Sequence, residues 1–94
     1  MKVQANFGAA LRRLRSERGI TQEELAFRAD LSVVYLRGLE GGRCNPTLNV
    51  LFDIGRALDV HPADILRDIP LDAETRDKKR KRPGPAEGTL RGAK

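Results

Sequence analysis

The chain has 94 residues, of which 39% are hydrophobic and 33% charged, with one cysteine and no tryptophan. This length allows one small domain at most, and the lone cysteine excludes an internal disulfide framework and favours a reducing compartment. Because no apolar run approaches the roughly 18 residues of a membrane span and the N-terminus lacks the apolar stretch of a signal peptide, we expect a cytoplasmic protein.

The net charge of +5 is distributed unevenly along the chain. Residues 1–70 carry 10 Lys/Arg against 9 Asp/Glu, whereas residues 71–94 carry 8 against 4. The basic excess therefore belongs mainly to the C-terminal segment, and the high isoelectric point says little about residues 1–70. A DNA-binding function has to be argued from the pattern and position of residues.

The first predicted helix carries an apolar stripe surrounded by arginines. Phe7, Ala10, Leu11 and Leu14 follow the spacing i, i+3, i+4, i+7, which predicts an amphipathic helix. Gly19 is a natural stop at its C-terminal end.

A second and a third helix follow closely. Thr21 with Glu24 three residues later forms the pattern of a capping box at the start of the second helix. The buried face of this helix is predicted to comprise Leu25, Ala26 and Ala29. After a break at Asp30 and Leu31, Ser32 is predicted to cap a third helix whose buried residues are Leu36 and Leu39.

Two further helices are predicted before residue 70. Thr47 caps the fourth, and one of its faces is predicted to comprise Leu48, Leu51, Ile54, Gly55 and Leu58. The fifth begins at Pro62, a residue suited to the first turn, with His61 in the capping position and Asp64 near the positive helix end. Residues 71–94 are polar and punctuated by Pro and Gly, so we expect a mostly disordered tail.

The span from Gln22 to Gly41 has the layout of a helix-turn-helix motif. Two short helices flank a break of three or four residues, and a small residue at Ala26 allows them to cross closely at roughly 90–120°. Leu25, Leu36 and Leu39 are expected to hold this angle from beneath. The third helix would then stand out from the domain and enter a DNA major groove by its N-terminal end.

The sequence from Leu11 to about Leu66 resembles the phage-repressor-like (Cro/cI, or XRE) helix-turn-helix regulators. The segments "TQEELA", "LEGG", "NPTL" and "ALDV" occur in the order typical of that family. The resemblance implies an all-α fold, a compact five-helix lambda-repressor-like domain in residues 1–70 with a basic tail in residues 71–94. It also implies a transcription regulator, such as a repressor, that binds operator DNA as a homodimer on a palindrome.

The resemblance also implies roles for individual residues. Contacts to backbone phosphates are expected of Gln22, Ser32, Arg43 and Asn45. The groove-facing side of the third helix is expected to present Val33, Val34, Arg37 and Gly38. A partly buried ion pair joining the first and third helices is expected between Arg15 and Glu40, because a buried charge without its partner costs several kcal/mol. The dimer surface is expected to involve Leu48 and Ile65.

Two departures from the family pattern bear on these roles. Asp30 replaces the usual turn glycine, but Asp tolerates the left-handed conformation, so we expect the turn to be kept. Val33 and Val34 cannot donate hydrogen bonds to bases, although their methyl groups can pack on the thymine methyl group. Base reading would then depend on Arg37, on Tyr35 and on DNA shape. Two alternatives stay open: the valines face a protein, and Tyr35 packs on the second helix.

Weaker signals point to no further chemistry. The run from Lys78 to Pro85 suggests a basic arm along the phosphate backbone, an inert tail or, less in keeping with a bacterial-type domain, an import signal. Cys44 is a redox candidate only if exposed, and incidental otherwise. One His and one Cys do not make a zinc site, so we expect no metal, no cofactor and no enzyme. The alternative function is a protein-interaction module, such as an antitoxin, for which DNA binding is secondary.

Overall fold

The computed structural model describes residues 2–75, which form five helices. In chain order they are α1 (Val3–Glu17), α2 (Gln22–Ala29), α3 (Val33–Glu40), α4 (Leu48–Leu58) and α5 (Pro62–Leu66). α3 packs against both α1 and α2, while α4 packs against α2 and α5. The predicted all-α, five-helix class is confirmed.

The predicted helix starts are confirmed by side-chain caps. Thr21, Ser32 and Thr47 each accept a hydrogen bond from the backbone N–H three residues later, which satisfies one of the donors that a helix N-terminus leaves free. The Nδ1 atom of His61 accepts one from the N–H of Ala63 at 2.9 Å. Each side chain thus fixes the residue at which its helix begins.

The helix α1 begins earlier than the apolar stripe indicates. Its first residue is Val3, not a residue near Phe7, and the side-chain amide of Asn6 donates to the carbonyl oxygen of Lys2 at 3.1 Å in its first turn. The stripe marks where α1 contacts the core, and the first turn lies beyond that contact. The periodicity therefore reports the buried length of the helix and not its full length.

The core is built from apolar, mostly aliphatic residues of all five helices. Its buried members are Phe7, Ala10, Leu11, Leu25, Ala26, Ala29, Leu36, Leu39, Ile54, Leu58 and Ile65. Ile65 is 1% exposed, so the expectation that it contributes to a dimer surface is wrong: the apolar side of α5 packs inward. Leu48, predicted to share the inward face of α4, is instead 70% exposed at the first residue of that helix.

The chain returns to its starting point after α5. The N–H of Val3 donates to the carbonyl oxygen of Glu74 at 2.8 Å, and Lys2 and Glu74 form an isolated parallel β-bridge. The segment 71–75 is therefore paired with the start of α1, whereas the predicted tail was expected to be disordered from residue 71. The basic run from Lys78 to Pro85 lies outside the described residues. Within the described part of the chain, no helix is long and apolar enough to cross a membrane.

One glycine allows α1 and α3 to approach closely. A Cβ atom built on Gly8 would lie 2.4 Å from the backbone oxygen of Glu40 and 2.6 Å from that of Leu39. Both atoms belong to the backbone and cannot rotate away, so only glycine fits at this crossing. The C-terminal end of α3 is thereby held directly against α1.

We predict that Gly8→Ala lowers the free energy of unfolding by about 2 kcal/mol or more, because overpacking against backbone exceeds the gain of about 1 kcal/mol in helix propensity. The measurement is urea unfolding followed by circular dichroism. Gly19→Ala is the matched control: its added Cβ meets nothing within 4 Å, and its φ of +67° carries only the cost of a left-handed backbone. A Gly8→Ala protein more stable than Gly19→Ala would contradict the close approach.

Candidate nucleic-acid interface

The connection between α2 and α3 is a tight turn through a left-handed residue. Asp30 has φ 59° and ψ 45°, and the N–H of Leu31 donates to the carbonyl oxygen of Ala26 at 2.9 Å. The expectation that Asp30 keeps the turn is confirmed. Ser32 then begins α3, so the reversal takes three residues, as a helix-turn-helix motif requires.

The buried sides of α2 and α3 hold the motif together. Leu25, Leu36 and Leu39 are fully buried, and the small side chain of Ala26 is 3% exposed. The three leucines were predicted to hold the angle between the helices and Ala26 to allow their close crossing, and all four belong to one core cluster. The opposite side of α3 is left free to face a ligand.

The exposed side of α3 is formed by fewer residues than expected. Val34 is 73% exposed and the side chain of Arg37 is 48% exposed, whereas Val33 is half-buried and packs against the core. Gly38 is buried, so its expected place on the groove-facing side is wrong. A Cβ atom built on Gly38 would lie 2.5 Å from the Sγ atom of Cys44, which occupies the space beside it.

Three of the expected phosphate-binding residues are exposed around α3. The Oγ atom of Ser32 accepts the N–H of Tyr35 at 3.0 Å, and its own O–H remains able to donate. Asn45 is exposed in the loop after α3, as is Arg43, whose Nη2 atom donates to the carbonyl oxygen of Arg37 at 3.3 Å. Hydroxyl, amide and guanidinium donors near a groove-entering helix are the groups that bind phosphate oxygens.

Tyr35 and Gln22 have partners within the protein. Tyr35 is half-buried and packs against the core cluster, which favours a packing role over a fully exposed contact residue. Gln22 is also half-buried: its Nε2 atom donates to the Oε1 atom of Glu40 at 3.0 Å, and its Oε1 atom accepts from the Nε atom of Arg37 at 3.2 Å. The amide expected to bind a phosphate thus lies between two charged side chains.

The expected partners Arg15 and Glu40 lie together. The Nε atom of Arg15 donates to one carboxylate oxygen at 2.7 Å and its Nη2 atom to the other at 3.1 Å. The side chain of Glu40 is 2% exposed and that of Arg15 is 15% exposed. The hydrogen bond to Glu40 raises the pKa of the Arg15 guanidinium above its ordinary value, against the opposing effect of burial. The pair joins the last turn of α1 to the last residue of α3.

Two exposed apolar side chains were not singled out by the sequence. Phe27 on α2 is 82% exposed, although its position outside the stripe of Leu25, Ala26 and Ala29 already indicates an outward side chain. Phe52 on α4 is 37% exposed and its ring meets that of His61 edge-on at 5.7 Å. No group of three or more potential metal ligands occurs in residues 2–75.

The family described as "Helix-turn-helix domain" matches residues 6–67. The chain belongs to the helix-turn-helix family, in its Cro/cI type. This family comprises DNA-binding transcription regulators and not enzymes, and the function of this helix-turn-helix regulator is of that class.

Its relatives include regulators of several kinds. The uncharacterised HTH-type transcriptional regulator y4dJ of Sinorhizobium fredii is 39% identical over 66 residues, which cover 70% of this chain and 86% of the relative. The control protein C.BamHI of Bacillus amyloliquefaciens is 39% identical over 61 residues, covering 64% and 75%. Among solved structures, the restriction-modification controller protein C.AhdI from Aeromonas hydrophila matches with a TM-score of 0.65 at 37% identity, covering 66% of this chain and 94% of that one.

We predict that Arg15→Met lowers the free energy of unfolding by about 3–5 kcal/mol, because it leaves the buried Glu40 carboxylate without its cation. Thermal and urea unfolding measure the loss. Replacing both partners, Arg15→Met with Glu40→Leu, should recover part of it, since no unpaired charge is then buried. Arg13→Met is the control, because Arg13 is half-exposed and its salt bridges of 3.6 and 3.9 Å should contribute less than about 1 kcal/mol. If Arg13→Met and Arg15→Met lowered the free energy of unfolding equally, the Arg15–Glu40 pair would not be the stabilising buried ion pair.

Proposed function

We propose that this regulator binds a palindromic operator as a homodimer, with α3 in the major groove of each half-site. The observation that carries the proposal is that α3 is held from its buried side by α1 and α2 while Ser32, Val34 and Arg37 remain exposed on its outer side. A helix presented in this way by its N-terminal end is the geometry of major-groove reading. The proposed site of action is the cytoplasm, as expected for a regulator of bacterial type.

Base reading is proposed to divide between one arginine and one valine. The guanidinium of Arg37 can donate two hydrogen bonds to a guanine, and the methyl groups of Val34 can pack on the methyl group of a thymine. Val33 is half-buried, so it contributes less to the contact surface than Val34. Ser32, Arg43 and Asn45 would position the domain through phosphates without adding sequence preference.

The proposed dimer surface lies on the outer side of α4. Leu48 is 70% exposed and Phe52, one turn later on the same helix, is 37% exposed. Two neighbouring exposed apolar side chains form a patch that a second copy can cover in a two-fold arrangement. A two-fold dimer matches a palindrome whose half-sites lie about 34 Å apart.

The basic run Lys78–Arg82 is proposed to add phosphate contacts outside the half-site. Thr75 directly follows Glu74, whose carbonyl oxygen accepts from the N–H of Val3 at the start of α1. This start of α1 is close to the loop that precedes Arg43, because a Cβ atom built on Gly42 would lie 3.0 Å from the Cα atom of Ala5. Three residues span at most about 10 Å, so the run begins within reach of DNA bound at that loop.

An interaction module is the second candidate, and the exposure of Phe27 favours it. An aromatic side chain that is 82% exposed is typical of a protein-binding surface. The similarity to C.BamHI and C.AhdI favours the operator-binding regulator of the restriction-modification controller kind.

Selection of bound fragments from random DNA tests the proposed function. We expect a palindromic motif bound at least about a thousandfold more tightly than scrambled DNA at physiological salt. Binding that is equal on all sequences and lost with salt would overturn the proposal and favour the interaction module.

In the same assay, replacing the five cations from Lys78 to Arg82 by Ser in the full chain should reduce the salt slope by about 0.9 for each lost phosphate contact while keeping the sequence preference.

The dimer surface predicts that Leu48→Asp weakens self-association more than about tenfold, since a buried charge replaces an apolar anchor. Sedimentation equilibrium measures the dissociation constant, and circular dichroism checks that the helices are kept. Phe27→Asp is the matched control, because Phe27 is also an exposed apolar residue but belongs to α2 and not to the proposed patch on α4. If Phe27→Asp dissociated the dimer and Leu48→Asp did not, the proposed dimer surface on α4 would be wrong.

A further inference from the structure

The side chain of Gln22 connects the buried ion pair to the exposed arginine of α3. Its Nε2 atom donates to the Glu40 carboxylate at 3.0 Å and its Oε1 atom accepts from the Nε atom of Arg37 at 3.2 Å. Glu40 in turn is held by Arg15 through two hydrogen bonds. A continuous chain of hydrogen bonds therefore runs from α1 through α3 and α2 to the outer side of α3.

Chemistry permits only one orientation of the Gln22 amide. The carboxylate of Glu40 only accepts hydrogen bonds and the guanidinium of Arg37 only donates them. Turning the amide by 180° would face its oxygen to a carboxylate and its NH₂ to a guanidinium, so both bonds would be lost. The acceptor atom of Gln22 is thus held towards Arg37 by the fixed position of Glu40.

This contact determines which edge of Arg37 remains for DNA. With Nε engaged by Gln22, the edge formed by Nη1 and Nη2 is the one that can donate two parallel hydrogen bonds to O6 and N7 of a guanine. The contact from Nη2 to Glu23 is long, 3.6 Å, and the Glu23 side chain is 71% exposed, so it is a weak restraint. Arg37 lies one helical turn after Val33 and Val34. The valine side chains carry no hydrogen-bond donor, so Arg37 is the residue of these three that can donate to a base.

We propose that Arg37 determines specificity at one G·C pair and that Gln22 is its positioning residue, a role that replaces the phosphate contact expected of Gln22. The inference rests on the proposed function, since it names the residues that read the operator. Gln22 acts through Arg37: it reduces the freedom of a long side chain before DNA is bound. Less ordering is then needed on binding, and the guanine contact gains affinity over contacts to other bases.

The test measures discrimination at each base pair of the selected operator. For the protein and for Gln22→Met, which keeps the length of the side chain and removes its polar atoms, affinities are compared between the operator and duplexes altered one pair at a time. We expect Gln22→Met to lower discrimination about tenfold at one G·C pair and to leave the other pairs unchanged. Because the readout is a ratio of affinities for one protein, a smaller folded fraction does not alter it.

A double-mutant cycle with Arg37→Ala separates positioning from a direct contact. Arg37→Ala should abolish discrimination at the same pair, and Gln22→Met should add no further loss in the Arg37→Ala background. Glu23→Ala is the matched control, since it removes the long contact to Arg37 but keeps the hydrogen bond from Arg37 to Gln22, and it should keep the preference.

Three results would overturn the inference. Uniform loss of affinity on all sequences in Gln22→Met, with a smaller salt slope, would make Gln22 a phosphate contact. Full discrimination in Arg37→Ala, with the protein still selecting a palindrome, would overturn the inference and leave the proposed function standing. No sequence preference in the unmodified protein would overturn both.

Discussion

The buried carboxylate of Glu40 is the group on which the placement of the helix-turn-helix motif depends. It lies at the end of α3 and is neutralised by Arg15 of α1, while Gln22 of α2 supplies a further hydrogen bond. The backbone oxygen of the same residue accepts from Arg12 at 3.3 Å and lies against Gly8. Three helices must therefore meet at one residue, because a buried charge without partners costs several kcal/mol. The DNA-facing helix is positioned from its buried end.

Much of the fold could be predicted because the sequence marks its helix starts chemically. Thr21, Ser32, Thr47 and His61 each cap a helix where the pattern indicated, and Asp30 adopts the left-handed conformation expected of it. The periodicity of apolar residues could not predict the parts of the chain that do not pack against the core. The first turn of α1 and the contact of Val3 with Glu74 are held by backbone hydrogen bonds, which no pattern of side chains records.

The location of the candidate interface could be predicted from the sequence, but which of its residues are exposed could not. The motif placed Val33, Val34, Arg37 and Gly38 together, yet neighbours on a helix point about 100° apart, and packing by Cys44 and the core separates buried from exposed members. The partners of Gln22 could not be predicted either, because they depend on distances between three helices. The sequence also could not show whether Ile65 is buried in the core or exposed at an interface, because an apolar residue on a short helix fits both. The structure places it in the core.

The pairing of Val3 with Glu74 brings the two ends of the described chain to one corner of the domain, beside the loop of Gly42 and Arg43. A purification tag or fluorescent label attached before Lys2 would leave from that corner. It would lie close to DNA bound by Arg43, where its charge would alter the salt dependence of binding.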